Sequence, residues 1–251
     1  MSDQIEGGTR LDRALAARGL VSTRSRGRDL ILRGFVLVDG VVVVKPSQSV
    51  ARGSDIALLA NAPEYVSRAG EKLATALDHF AFKVDGCVAL DVGASTGGFS
   101  DVLLRHGARR VFAVDVGRDQ LDAGLRRDAR LTSLEATDAR DLSPAMFDAA
   151  INAIVVDVSF ISLRQVLPNV LQIAATPCWL VALVKPQFEV GPDFVGKDGV
   201  VRDEAALAAA VDRNRDWLDG LDNWFVGGVI ASPLRGGAGN REFLIGAQCN
   251  D

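Results

Sequence analysis

Residues 87–99 have the sequence Cys87-Val88-Ala89-Leu90-Asp91-Val92-Gly93-Ala94-Ser95-Thr96-Gly97-Gly98-Phe99. The apolar run predicts a buried strand over 87–91, and the glycines after it predict a tight loop that opens a helix at Gly98. Glycines let the backbone of such a loop approach a ligand closely, and the helix N-terminus adds unpaired N–H groups and the positive end of a dipole. We interpret this stretch as the ligand-binding turn of an α/β fold.

The spacing of the glycines in this loop bears on the cofactor. A dinucleotide loop follows the pattern G-x-G-x-x-G, whereas this one is G-x-x-x-G-G with Ser95 at the middle position. S-adenosylmethionine fits better, because it has no phosphates and presents an amino-acid head group. Asp115 and Asp138 follow the next two predicted strands and can meet ribose and adenine, or they can cap the helices that follow. The predicted cofactor contacts are Asp91, Gly93, Ser95, Thr96, Gly97, Gly98, Phe99, Asp115 and Asp138.

Strand and helix patterns alternate on the C-terminal side of this loop. Alternation of this kind predicts a mostly parallel, doubly wound sheet, so the predicted fold class is α/β with a Rossmann-like sheet. The predicted strands cover 87–91, 110–115, 131–136, 153–157, 179–185, 224–230 and 242–247, and the predicted helices cover 98–105, 163–174 and 203–218.

Residues 10–60 form a different, smaller unit of the α+β type. One helix ends near Gly19, a second runs from Thr23 to Arg33, and Asp39-Gly40 between two apolar runs is a strong hairpin signal. Residues 1–60 contain nine Lys and Arg against six Asp and Glu, a net charge of +3, whereas residues 61–251 have a net charge of −7. A basic small domain attached to an acidic large one suggests that the small one binds a polyanion.

Arginines are concentrated on the second helix of this unit. Arg26 and Arg33 share one helical face, and Arg24 and Arg28 share another. A lone helix of this composition is typically just solvated, but the helix pair, the hairpin and the arginines together favour RNA binding. The predicted RNA contacts are Arg10, Arg13, Arg24, Arg26, Arg28 and Arg33.

Four further polar residues are predicted to form a catalytic tetrad, namely Lys72, Asp157, Lys185 and Glu242. Asp157 and Lys185 end apolar strands and Glu242 opens one, which places charged groups at the sheet edge where open α/β folds bind ligands. A ribose hydroxyl is a poor nucleophile, so its proton must be accepted or its developing charge stabilised. We expect Lys185 to act on the hydroxyl as base or alkoxide stabiliser. We expect Asp157 and Glu242 to orient Lys185, and Lys72 to steer the ribose or its phosphate. The alternative is four unrelated surface ions.

The amino-acid composition argues against a membrane-spanning, a secreted or a metal-dependent protein. With 48% hydrophobic and 24% charged residues the chain is typical of a soluble globular protein, and no apolar run approaches the ~20 residues of a membrane helix. The polar, acidic residues 1–6 are unlike a secretory signal. Cys87, Cys178 and Cys249 are widely spaced, and only two histidines occur, so we expect reduced thiols, no metal site and a cytoplasmic location.

Two resemblances cover the chain. Residues 10–15 through 33–40 resemble the small RNA-binding domain first known from a ribosomal small-subunit protein, the alpha-L motif. The whole chain resembles the TlyA family, whose larger domain is similar to FtsJ-like ribose 2′-O-methyltransferases. The stretches that carry this second resemblance are 65–73, 91–99, 156–163, 184–189 and 239–243.

The TlyA resemblance implies a specific activity and organisation. It implies methylation of a cytidine 2′-hydroxyl in ribosomal RNA, with S-adenosylmethionine as cofactor, a complete Lys-Asp-Lys-Glu tetrad, and ribosomal RNA or ribosomal subunits as partner. It further implies a class I methyltransferase sheet whose last strand is antiparallel. We expect an RNA-binding domain over 1–60, a linker over 61–71 and a methyltransferase domain over 72–251. Asp198 stands where the family pattern leads us to expect glycine, on a loop that the resemblance places on the substrate side.

Three other functions compete with this one. A non-catalytic RNA-binding assembly factor would have no use for a complete tetrad. Some members of the family are named haemolysins, yet the sequence has no signal peptide, membrane span or amphipathic lytic helix. A small-molecule methyltransferase would not need the basic N-terminal unit. The sequence leaves the oligomeric state open.

Overall fold

The structure, a computed structural model, describes residues 8–250. The predicted domain limits at residues 1 and 251, and the acidic residues 1–6, therefore lie outside the described part. Within that part, none of the helices has both the length and the apolar character that a membrane crossing requires.

The N-terminal unit is built from two short helices and small antiparallel strands. Thr23 caps the second helix by accepting a hydrogen bond from the Arg26 backbone N–H at 3.1 Å. Asp39 and Gly40 both have positive φ (51° and 80°), which is the geometry of a two-residue hairpin turn. The elements are β1 (Thr9–Arg10), α1 (Leu11–Ala17), α2 (Arg24–Leu32), β2 (Val36–Val38), β3 (Val41–Val42), β4 (Ser49–Val50) and β5 (Ile56–Leu58).

The C-terminal unit is a seven-stranded sheet with helices on both faces. The strand order is β11-β12-β10-β9-β6-β7-β8, and β12 runs antiparallel to both of its neighbours. The predicted fold class, a mostly parallel sheet with an antiparallel last strand, is confirmed. The elements are α3 (Ala69–Phe80), β6 (Val88–Val92), α4 (Gly98–Arg105), β7 (Arg110–Asp115), β8 (Leu131–Glu135), β9 (Ile151–Val156), α5 (Leu163–Leu171), β10 (Ala174–Val184), α6 (Glu204–Asp219), β11 (Trp224–Ala231) and β12 (Phe243–Cys249).

Two apolar clusters cover the two faces of this sheet. Leu73 and Leu77 of α3 pack with Phe99 and Leu103 of α4 on one face. Leu163, Val166, Leu167 and Val170 of α5 pack on the other face, together with Leu218 of α6. β9 is the central strand with β6 beside it, and the chain reverses its direction of winding between β6 and β9. The crevice at the carboxyl ends of these two strands is therefore the place where an α/β fold binds its ligand.

Candidate active site

All four predicted tetrad residues line one cavity of about 330 Å³, which we call the tetrad cavity. Asp157 directly follows β9 and Lys185 directly follows β10. Glu242 directly precedes β12, and because β12 is antiparallel, its beginning lies at the same edge as the ends of β9 and β10. Lys72 reaches this edge from the first turn of α3.

The tetrad is divided into two ion pairs. Lys72 Nζ lies 2.5 Å from Glu242 Oε2, and both side chains are buried. Lys185 Nζ lies 2.6 Å from Asp157 Oδ1 and donates a hydrogen bond to Ser159 Oγ at 2.7 Å. Glu242 thus pairs with Lys72, because α3 brings Lys72 onto the start of β12, and a role for Glu242 in orienting Lys185 stays a prediction.

A second, larger cavity of about 570 Å³ adjoins the tetrad cavity. Four predicted cofactor residues line it, namely Gly93, Ser95, Asp115 and Asp138. The two cavities have common walls, since both are lined by Gly93, Ser95, Asp157 and Ser159. A ligand in the larger cavity therefore lies next to the Lys185–Asp157 pair.

Two glycines of the loop are required by geometry. Gly93 has φ of 85°, and a Cβ atom there would lie 2.5 Å from the Asp157 carbonyl oxygen. Gly97 has φ of 92°, and its Cβ would lie 2.3 Å from the Leu125 side chain. Gly93, which lines both cavities, thus lets the loop approach the backbone after β9 closely, whereas Gly97 lines neither cavity and permits close packing behind the loop.

The two predicted acidic contacts differ in how they are engaged. Asp115 accepts backbone hydrogen bonds from Ser95 at 2.7 Å and from Gly117 at 2.6 Å. Asp138 caps a short 3₁₀ turn by accepting from the Arg140 backbone N–H at 2.9 Å, so it serves the capping role that the sequence left open. Hydrogen bonds from the Arg140 side chain lower the pKa of Asp138 to about 2. Both carboxylates nevertheless form part of the wall of the larger cavity.

This acidic wall bears on which cofactor the larger cavity fits. Two carboxylates would repel the pyrophosphate of a dinucleotide, but they suit ribose hydroxyls and a positively charged sulfonium ligand. Gly93 and Ser95 of the loop line the same cavity, so such a ligand also lies against the loop. The residues present therefore fit S-adenosylmethionine.

Four other predicted cofactor residues are placed differently. Thr96, Gly98 and Phe99 line the tetrad cavity. Asp91 lines neither cavity, because it is completely buried beneath the loop, where Ser100 Oγ donates to its Oδ2 at 2.6 Å. Burial raises the pKa of Asp91 to about 7. A direct cofactor contact remains a prediction for Asp91; the structure shows it as a support of the loop.

One residue of the larger cavity was missed from the sequence. Phe160 is 90% exposed and has φ of 65°, an uncommon conformation for a bulky residue. Its ring lies 5.1 Å from the ring of Phe188, in the segment that follows Lys185. Nothing in the one-dimensional pattern signals this exposure, because an aromatic residue after a buried strand is usually part of the core.

The six predicted RNA-binding arginines fall into two groups, and the first comprises Arg10, Arg13, Arg24 and Arg28. Arg13 and Arg28 are exposed, and neither has a side-chain hydrogen bond or ion pair to another residue within 8–250. Arg10 and Arg24 both pair with the buried carboxylate of Asp12, at 3.0 and 2.9 Å, and the Arg10 hydrogen bond lowers the pKa of Asp12 to about 2. These four side chains are placed to meet a polyanion, and their RNA contacts remain predictions.

The other two arginines face the larger domain. Arg26 is buried and donates hydrogen bonds to the Pro63 carbonyl and to Asp29. Arg33 makes a bidentate contact with Glu71. The predicted division of α2 into two arginine faces is therefore present, but the Arg26 and Arg33 face is engaged with protein and is not free for RNA.

Comparison with known proteins gives the same two units. Residues 65–249 match the FtsJ-like methyltransferase family and residues 9–56 match the S4 domain. The chain is 43% identical to the 16S/23S rRNA (cytidine-2′-O)-methyltransferase TlyA of Mycobacterium tuberculosis, covering 94% of this chain and 88% of that one. It is 39% identical to Hemolysin A of Brachyspira hyodysenteriae, covering 94% and 98%. A solved structure of a protein named as a hemolysin from Streptococcus thermophilus superimposes with a TM-score of 0.76 at 36% identity, covering 98% of this chain and 90% of that one.

Proposed function

The chain belongs to the FtsJ-like methyltransferase family and carries an N-terminal S4 domain, and from this premise we propose that it methylates the 2′-hydroxyl of a cytidine ribose in ribosomal RNA. The observation that carries the proposal is the contact between two cavities, one that fits S-adenosylmethionine and one that contains two lysine–carboxylate pairs. When bound, S-adenosylmethionine supplies an electrophilic sulfonium methyl group. We place the reaction in the cytoplasm, where ribosomal RNA is found.

The Lys185–Asp157 pair is the group that we assign to the reacting hydroxyl. Asp157 lines both cavities and Lys185 lines the tetrad cavity, and the two side chains are more exposed (11% and 15%) than those of the Lys72–Glu242 pair (7% and 3%). An ammonium group between a hydroxyl oxygen and a carboxylate can stabilise the developing alkoxide, passing a proton to Asp157 while it takes the hydroxyl proton. Lys185 Nζ is the atom that holds this proton, and Ser159 Oγ fixes its position.

Phe160 and Lys72 have supporting roles in this proposal. An exposed aromatic ring beside the larger cavity offers a surface on which the target base can stack once it leaves its helix. The buried Lys72–Glu242 pair forms part of the wall of the tetrad cavity, where the Lys72 ammonium can steer the ribose or its phosphate. Arg10, Arg13, Arg24 and Arg28 then provide the sequence-independent attraction for RNA.

The proposal is tested by methyl transfer to ribosomal subunits from a strain that lacks this protein, with radiolabelled S-adenosylmethionine. We expect label at one position in RNA that resists alkaline cleavage. Lys185→Met, which keeps the packing of the side-chain stem, should lower the rate by about 10²-fold or more while calorimetric cofactor binding is retained. Full activity of Lys185→Met would refute the mechanism.

The same experiment separates the competing functions. Cofactor binding without label in any RNA would refute the methyltransferase proposal and favour an RNA-binding assembly factor. Release of a dye from liposomes by the purified protein, without cofactor, would favour a haemolysin.

A further inference from the structure

A bidentate ion pair connects the S4 domain to the methyltransferase domain. Arg33, which directly follows α2, donates to both carboxylate oxygens of Glu71, at 2.6 and 2.7 Å. The guanidinium also lies 3.5 Å from Asp29 and 5.1 Å from the centroid of the Phe35 ring, so its position is fixed from several sides. Both side chains are largely shielded, at 25% and 21% exposure, which makes the pair stronger than a solvent-exposed one.

Glu71 is adjacent in sequence to a tetrad residue. It lies in the first turn of α3, and the next residue is Lys72, whose Nζ contacts Glu242 in the tetrad cavity. No side chain caps the N-terminus of α3. The Arg33–Glu71 contact is therefore the polar restraint that the S4 domain places on this turn, in addition to the Lys72–Glu242 pair within the larger domain.

The first turn of α3 is also packed closely between Tyr65, which precedes it in the chain, and Gly98 at the end of the cofactor loop. A Cβ atom on Gly70 would lie 2.7 Å from the Tyr65 side chain. A Cβ atom on Gly98, at the start of α4, would lie 3.1 Å from the Gly70 nitrogen. Because there is no free space on either side, a displacement of the first turn of α3 must move its neighbours as well.

The arginine side chains of α2 and its C-terminal end are divided between two tasks. Arg26 donates to Pro63, between the two domains, and Arg33 holds Glu71 of α3. Arg24 and Arg28 are exposed on another face. A polyanion that binds Arg24 and Arg28 therefore contacts α2, and Arg33, directly after α2, is the residue that pairs with Glu71 of α3.

We infer that Arg33 and Glu71 are positioning residues that couple RNA capture by the S4 domain to the placement of Lys72 in the tetrad cavity. The inference rests on the proposed function for its catalytic readout. It assigns to this ion pair an effect on the methyl-transfer step, distinct from the affinity for RNA. Loss of either partner loosens the first turn of α3 and lowers kcat, whereas KM for the ribosomal substrate changes little.

The test is a double-mutant cycle on the whole protein with Arg33→Gln, Glu71→Gln and the double variant. We expect each single variant to lower kcat about tenfold, and the double variant to lose no more than either single one, because both remove the same contact. Arg33→Lys, which retains the charge but not the bidentate geometry, should have an intermediate kcat. Arg215→Gln is the matched control, since it removes an arginine that pairs with Asp212 and Asp216 on α6, and it should leave kcat unchanged.

Hydrogen exchange of residues 69–80 provides a readout that does not depend on activity. We expect faster exchange in Arg33→Gln and Glu71→Gln than in the parent protein and in Arg215→Gln. Additive losses of kcat in the cycle, or unchanged exchange in both single variants, would overturn the inference. If the parent protein methylates no RNA, the proposed function fails, and the exchange data still decide whether the pair holds α3.

Discussion

Asp91 has the most unusual environment of any acidic side chain in the site. It is completely buried, Ser100 satisfies one of its oxygens, and the other oxygen has no hydrogen-bond partner within the described residues. Burial is the main cause of its raised pKa, and the carboxylates of Asp157 and Asp115 add to the effect. A buried carboxylate beneath the ligand-binding loop therefore makes the stability of the protein depend on pH.

The sign of this dependence can be predicted. The pKa of Asp91 is about 7 in the folded protein, against a reference value of 3.8, so between these values the folded chain binds more protons than the unfolded one. Stability from this group is complete below about pH 4 and is lost as pH rises through 7. The free energy of unfolding of the parent protein should thus fall by a few kcal/mol relative to Asp91→Asn between pH 4 and pH 8, measured by urea unfolding. A difference that stays constant with pH would contradict the prediction.

Individual residues of the site were predictable only where the pattern along the chain carries them. A polar residue that ends an apolar strand stands out in a sequence, so Asp157 and Lys185 were identified. The partner of Lys72 was not predictable, because Glu242 lies 170 positions further along the chain. Phe160 was missed because its exposure depends on a backbone angle.

At the scale of elements, one carboxylate connects the two loops that hold the Lys185–Asp157 pair. Glu189, in the segment after β10, accepts from the Leu163 backbone N–H at 2.8 Å and from Ser162 Oγ at 2.7 Å. It thereby caps α5, the helix that follows the Asp157 loop. The position of Lys185 relative to Asp157 depends on this connection as well as on the strand pairing of β9 and β10.

Removal of this cap should affect activity as well as stability. Glu189→Ala should destabilise the protein by about 1–2 kcal/mol and also lower kcat, because the loops after β9 and β10 lose their connection. Asp203→Ala is the matched control, since Asp203 caps α6 through the Ala206 backbone N–H at 2.9 Å. It should cost similar stability in thermal unfolding and leave kcat unchanged. Equal kcat values for the two variants would show that Glu189 only caps a helix.

The predicted elements agree with the structure where periodicity or a cap marks them. The bounds of α4 and β7 are those that the sequence predicts, and Thr23, the predicted start of the second helix, is the residue that caps α2. α3 begins at Ala69, within the predicted linker, and β5 has only three residues and exists through its pairing with β2. Asp198, where glycine was expected, forms an ion pair with Arg202 inside its loop. The pairing of β5 with β2 is formed between distant segments and leaves no periodic signal.

For the whole molecule, the uneven distribution of charge determines how RNA binding depends on salt. The S4 domain lies in the part of the chain with net charge +3, although the protein as a whole has a net charge of −4. RNA affinity should therefore fall steeply with salt, and Arg13→Gln or Arg28→Gln should each reduce the slope of log K against log salt by roughly one. The test is fluorescence anisotropy with a ribosomal RNA fragment, measured from about 50 to about 200 mM salt. An unchanged slope in both variants would exclude these arginines from the RNA contact.

The walls common to the two cavities have a consequence for inhibition. Gly93, Ser95, Asp157 and Ser159 line both spaces, so no separate chamber isolates the methyl donor from the acceptor. One molecule that joins an adenosine analogue to a ribose analogue by a short linker can occupy both spaces at once. Once one half is bound, the linker keeps the other half at a high effective concentration near its own cavity. The joined compound should therefore bind more tightly than either half alone. A bisubstrate inhibitor is accordingly the chemical form that this site favours.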